Sequence, residues 1–169
     1  MARQIIEDPT ELGYSGWGAG SIGEKDWKAI KKIIEDYNVT SILEVGVGLS
    51  TFLMSQMVPV YVGYDTLQRH LDWMKPRLLN HVELRLWDGE EPFDPGADFD
   101  MAFIDGPTGA FNRKPSFVSV LGRAEIICIH DAGDIWREKW RFKLDPKGEY
   151  KAIFPGSRFS AWKKRKMNG

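Results

Sequence analysis

Ile42-Leu43-Glu44-Val45-Gly46-Val47-Gly48-Leu49-Ser50 is the stretch on which the reading of this chain turns. A buried-type apolar run meets two glycines spaced by one residue, and a helical pattern opens near Thr51, which describes a strand, a turn and a helix. Twenty-one positions after Glu44, Asp65 ends a second apolar run, Val60-Tyr61-Val62-Gly63-Tyr64. A glycine turn lets another group approach the backbone closely, because no Cβ stands in the way. A carboxylate at the tip of the next strand suits the paired hydroxyls of a ribose. Together the two features imply a site for an adenosine-containing ligand.

Several such ligands are separable by pattern. A dinucleotide turn needs a third glycine for close helix–strand packing, and Thr51 stands at that position. No G-x-x-x-x-G-K-[ST] string is present, so a P-loop is excluded. Net charge is −1 over 169 residues, which points to neither nucleic acid nor membrane as partner. The single cysteine, Cys128, lies in the apolar run Ile126–Ile129 and reads as a buried hydrophobe. Ala2 to Glu11 is polar and acidic, so no signal peptide is expected and the cytoplasm is the default location.

Strand and helix signals alternate beyond Asp65. Leu67 to Leu79 reads as a helix interrupted at Pro76, and Val82 to Leu86 as a half-covered third strand. Asp100 to Asp105, Pro115 to Arg123 and Glu125 to Ile129 supply a fourth strand, a helix and a fifth strand. Asp134 to Phe142 reads as a further helix. Tyr150–Phe154 and Phe159–Trp162, joined by Pro155-Gly156-Ser157-Arg158, form a hairpin pattern that puts an antiparallel strand at the end of a parallel sheet. Ahead of the first strand lie a glycine-rich loop from Gly13 to Ser21 and a helix with Trp27, Ile30, Ile34 and Tyr37 on one face. Ser21 and Glu24 have capping-box spacing for that helix. One domain therefore spans 1–169: a loop and helix over 1–38, a core over 40–165, and a basic tail over 163–169, including Lys163-Lys164-Arg165-Lys166, taken as a solvated end.

In such a sheet, ligands bind beyond the carboxyl ends of the strands. Glu44, Asp65, Trp87-Asp88, Asp105 and His130-Asp131 all fall at those ends.

Glu44-x-Gly46-x-Gly48-x-Ser50, with Asp65 in register and the terminal hairpin, resembles class I S-adenosylmethionine-dependent methyltransferases. The resemblance implies an α/β, Rossmann-like, seven-stranded, mainly parallel sheet with a reversed C-terminal strand. It places Gly46 and Gly48 beneath the cofactor and Glu44 against its methionine part. The turn N–H groups and the Ser50 hydroxyl would face the carboxylate, and Asp65 the ribose. Trp87 and Asp88 fall at the adenine pocket, with a rim tryptophan and an ordinary loop aspartate as the plain alternative. Trp17, in the Tyr14–Trp17 segment, would close over the cofactor.

Phe103-Ile104-Asp105-Gly106 with Ile129-His130-Asp131 resembles small-molecule O-methyltransferases in which acidic residues hold a divalent cation. Carried over, Asp105 and Asp131 would ligate Mg²⁺ or a similar ion, and His130 would be a ligand or the proton acceptor. Pro107-Thr108 departs from that group, which often has a second ligand there, so a metal-free route through His130 stays open. Asp105-Gly106-Pro107 also looks like sugar-directed members, which makes a carbohydrate hydroxyl a candidate acceptor beside other small molecules. Asn112, Arg113, Lys114, Asp134, Trp136, Arg137 and Trp140 are candidates for the acceptor wall, with capping or packing as their plain roles. A non-catalytic module or partner subunit with the same fold is the alternative, a nucleotide-dependent oxidoreductase is disfavoured, and the oligomeric state is open, a homodimer included.

Overall fold

The computed structural model describes residues 6–18, 22–107, 113–131, 149–155 and 158–165. In chain order the elements are α1 (Glu24–Asp36), β1 (Ser41–Val45), α2 (Leu49–Ser55), β2 (Val60–Asp65), α3 (Gln68–Met74), β3 (Val82–Leu86), β4 (Phe99–Ile104), α4 (Arg113–Val120), β5 (Ala124–His130), β6 (Tyr150–Pro155) and β7 (Phe159–Lys164). They form one seven-stranded sheet of order β3-β2-β1-β4-β5-β7-β6. The first five strands pair in parallel, and β7 runs antiparallel to both β5 and β6. The chain steps outward from β1 through β2 to β3, then returns to the other side at β4. That reversal puts the open crevice between the ends of β1 and β4.

Both faces of the central strands are covered, which is why β1 and β4 read as near-continuous apolar runs. One core layer joins Ile42, Leu53, Met54, Met101 and Phe103 to Trp27, Ile30 and Ile34 of α1. The other joins Leu43, Val45, Ala102, Ile104 and Ile127 to Phe117 and Val120 of α4. The alternation along β1 and β4 sends successive side chains to opposite layers. No helix among the described residues is long and apolar enough to cross a membrane.

Several boundaries differ from the sequence pattern, α4 among them, which runs Arg113–Val120 rather than Pro115–Arg123. Helix α2 starts at Leu49, directly after Gly48, rather than near Thr51. Helix α3 ends at Met74 and passes into a 3-10 turn over Lys75–Arg77, because Pro76 cannot continue the α-helical bonding. At α1 the first helical residue is Glu24, and the Gly23 N–H donates to the Asp26 carboxylate at 3.4 Å. Lys163 and Lys164 belong to β7 rather than to a solvated tail. The Lys163 ammonium sits 4.1 Å from the Tyr37 ring centroid, so its charge is held by an aromatic face while its strand is paired. Ser21, Asn112, the Asp134–Phe142 segment with Trp136, Arg137 and Trp140, the Gly156-Ser157 link and Lys166 lie outside the described residues.

Candidate functional site

Four loop starts meet at the carboxyl edge of the sheet: those after β1, β2, β4 and β5. What brings the first and third together is a backbone contact. Gly46 has φ +94°, and a Cβ there would stand 2.6 Å from the Gly106 nitrogen; a Cβ on Gly106 would stand 2.6 Å from the Gly46 Cα. The close approach that Gly46 permits is therefore to protein backbone, and it fixes Asp105 beside the glycine turn. Gly48 is the complement. A Cβ there would meet nothing within 4 Å, so open space lies over it.

The turn is braced from within. The Gly46 N–H donates to the Tyr64 carbonyl (2.8 Å), the Val47 N–H to Asp65 Oδ2 (3.1 Å) and the Gly48 N–H to Thr51 Oγ1 (2.8 Å). Glu44 is fully buried and accepts hydrogen bonds from the Ser50, Thr51 and Tyr61 hydroxyls, the last at 2.8 Å. These contacts give Glu44, the Ser50 hydroxyl and the turn N–H groups partners within the protein. They are bonded to one another and to the sheet, and they tie α2 to β1 and β2.

Burial pushes the Glu44 carboxyl up to about 8, with the negative charge of Asp105 adding to the rise and the three hydroxyl donors opposing it. A folded-state value above the unfolded one means stability is fully present below about 4.5 and is lost as pH rises towards about 8. Urea melts across that window should show stability falling with pH in the parent chain. Glu44→Gln, which has no proton to lose, should flatten the slope.

Asp65 is 7 % exposed and sits at the β2 tip. Its Oδ2 accepts from Val47 and its Oδ1 from the Leu67 N–H at 2.8 Å, which clips the glycine turn to the start of α3. A carboxylate has about four acceptor positions, so two remain for hydroxyls. The His70 imidazole lies 3.6 Å away, a neighbour that spacing alone did not single out. Asp88 is exposed, and its Oδ1 accepts from the Glu90 N–H at 2.9 Å. Trp87 departs from the expected stacking role. It is 8 % exposed in the second core layer, packs edgewise on Phe93 with centroids 5.1 Å apart, and donates Nε1–H to the Glu91 carbonyl at 2.9 Å. Core packing accounts for its position. Tyr14 is part-buried against Phe52 and Trp73, with centroids 6.4 and 5.6 Å away, and Trp17 packs against the first core layer.

The strongest electrostatic feature is a chain of ion pairs at the ends of β4 and β5. His130 is 2 % exposed; its Nδ1 lies 2.9 Å from Asp105 Oδ1 and its Nε2 lies 3.2 Å from Asp26 Oδ2. Burial alone would lower the His130 value, but the hydrogen bond and charge of Asp105, the charge of Asp131 and the Asp26 bond outweigh it and raise it. With a carboxylate at each nitrogen, the imidazolium with two N–H donors is the form that fits. Arg113, 8 % exposed, donates to the backbone carbonyls of His130 and Asp105 and stands 3.4 Å from Asp105 Oδ1. Its role is thus to brace the two loops, neither capping α4 nor reaching outward. Asp131, at φ +48°, is half exposed and pairs with Arg158 at 3.2 Å. Asp105 Oδ2 has no partner among the described residues, and it is the acceptor left open on this cluster.

Ligand atoms of Asp105, His130 and Asp131 lie within 4.8 Å of one another, so the spacing for a cation is there. The donors are engaged with protein partners. Both nitrogens of His130 are spent on carboxylates, and each aspartate faces a guanidinium, Arg113 or Arg158. A hard cation takes oxygen ligands, and here it would compete with these cationic partners for the two carboxylates.

No protein-family model and no curated protein matches the chain. Solved structures do match in fold. A caffeoyl-CoA O-methyltransferase candidate from Staphylococcus aureus superposes with TM-score 0.68 at 16% identity, covering 86% of this chain and 85% of that one. An amino pentose methyltransferase from Micromonospora echinaspora, solved with S-adenosylmethionine bound, gives 0.66 at 13% identity over 96% and 99% of the two chains. An O-methyltransferase from Bacillus cereus in complex with S-adenosylhomocysteine gives 0.65 at 15% identity over 86% and 84%. An RNA-methyltransferase candidate from Pyrococcus horikoshii is also among them. The chain therefore has the class I methyltransferase fold, as the glycine motif and terminal hairpin imply.

Proposed function

We propose that this chain is an S-adenosylmethionine-dependent methyltransferase acting on a hydroxyl of a small molecule, with a sugar as one candidate acceptor. The observation that carries the reading is the juxtaposition at the switch point. Open space over Gly48 lies beside the Asp65 carboxylate on one side and Asp105, held by Gly106 against Gly46, on the other. Neighbours of the same fold solved with S-adenosylmethionine or S-adenosylhomocysteine support the choice of cofactor.

When bound, the cofactor supplies an electrophilic methyl group on a sulfonium. The residues of the chain have the remaining tasks. Asp65 accepts from the ribose hydroxyls through the oxygen positions its backbone donors leave free. Asp88, exposed at the β3 end, takes the adenine amino group. Asp105 Oδ2 receives the hydroxyl proton of the acceptor, while His130 and Arg113 hold Oδ1 in place. Alignment of donor and acceptor then supplies most of the acceleration. This route uses no divalent cation, in keeping with the paired charges around Asp105 and Asp131. A non-catalytic module of the same fold would have no need of Asp105 and His130-Asp131 at these strand ends.

Asp65→Ala tests the cofactor half. Two charge-assisted hydrogen bonds are worth about 3 kcal/mol together, so affinity for S-adenosylhomocysteine should fall roughly 100-fold by calorimetry. Unchanged affinity in a folded variant would remove the ribose assignment.

A further inference from the structure

The two edges of the sheet are built differently. β6 carries a register irregularity between Ala152 and Phe154 and ends on Pro155, features that discourage pairing with another strand. β3 pairs with β2 in unbroken register over Val82–Leu86, and its outer side has no strand partner among the described residues. The Trp87 N–H donates inward to the Asp65 carbonyl at 3.0 Å. By strand alternation Arg85 and Glu83 also point their backbone groups at β2, leaving those of Val82, Leu84 and Leu86 directed outward.

That pattern is self-complementary. If two copies of Val82-Glu83-Leu84-Arg85-Leu86 run antiparallel about Leu84, Leu84 meets Leu84 and Val82 meets Leu86, all through outward-directed backbone groups. Glu83 then lies opposite Arg85 twice, at the non-hydrogen-bonded positions where side chains stand closest. Leu86 is 56 % exposed, and beside the strand lies a groove of about 570 Å³ of mixed lining, in which Leu71, Val82 and Leu86 stand with Asp72, Lys75 and Glu83. In the paired form the apolar side chains of one β3 continue the groove of the other. Within one copy Glu83 and Arg85 already touch at 2.7 Å, so pairing turns one ion pair into a four-charge cluster.

We propose that two copies of this chain associate through β3, giving a symmetric dimer with one continuous sheet centred on Leu84. The proposal does not depend on the methyltransferase reading, since no residue of the site takes part. Light scattering and sedimentation over a wide concentration range should give twice the 19.3 kDa chain mass. Glu83→Arg alone and Arg85→Glu alone each place like charges opposite one another, and each should raise the dimer dissociation constant roughly tenfold or more. The double swap should restore it. Mixing the two single variants should also restore dimer, as a heterodimer, because the two guanidinium groups of one copy then face the two carboxylates of the other. That mixing result separates pairing between copies from the ion pair within one. A monomer at every concentration, a dimer indifferent to both swaps, or single variants that stay apart on mixing would each overturn the proposal. Thermal melts of the variants confirm that the chain under test is folded.

Discussion

Asp105→Asn should slow methyl transfer by roughly 10³-fold, within the range a positioned proton acceptor contributes. Turnover would be read as S-adenosylhomocysteine release with a member of a phenol and sugar panel that the parent chain accepts. Asparagine keeps the shape and one carbonyl acceptor towards His130 and Arg113, but its amide cannot take a proton. Affinity for S-adenosylhomocysteine should stay within about threefold, since Asp105 faces the acceptor in this account. Equal losses in binding and turnover would mean that Asp105 holds the cofactor. Unchanged turnover would move the proton-accepting role elsewhere, with Asp131 the next candidate.

The two glycines of the turn should respond oppositely to alanine. At Gly46 the substitution meets both a left-handed backbone and a 2.6 Å contact with the Gly106 nitrogen. Neither obstacle is the movable end of a side chain, so the loops after β1 and β4 must separate. A cost of about 3 kcal/mol follows from strain plus displacement, a large share of the ~5–15 kcal/mol that holds a domain together. The melting temperature should fall by about 10 °C. Gly48→Ala meets no atom within 4 Å, and its φ of −177° is open to any residue. Its stability should match that of the parent chain, while the added methyl intrudes on the cofactor's space and weakens S-adenosylhomocysteine binding. If Gly48→Ala left binding untouched, the cofactor would not lie over this turn.

Much of this architecture was legible because it depends on local signals. The β1–turn–α2 unit, the carboxylate at the β2 tip and the turn-rich link before β7 each declare themselves within a few residues. Acidic residues at strand ends were legible too, since strand ends follow from where apolar runs stop. Their partners were not. Asp26 lies 104 positions from His130, on a helix whose pattern speaks only of its buried face. Nothing in spacing says that its carboxylate reaches across to the β5 tip. The surroundings of Glu44 were hidden for a related reason. An acid in an apolar run looks functional until Ser50, Thr51 and Tyr61 are seen to supply three hydroxyl donors inside the core. Trp87 was ambiguous because it stands one residue past β3, where alternation no longer says which face it takes. Lys163 looked like a solvated end because charge runs usually are, and its aromatic partner Tyr37 belongs to the chain just past α1.

The central claim is that the crevice between β1 and β4 accepts an adenosine joined to a methionine-derived chain. Titration calorimetry of the full chain with S-adenosylhomocysteine, NAD and ATP tests it most directly. One equivalent of S-adenosylhomocysteine should bind, with no heat from the other two, and Asp65→Ala should abolish most of the signal. Binding of NAD or ATP with S-adenosylhomocysteine silent would contradict the account.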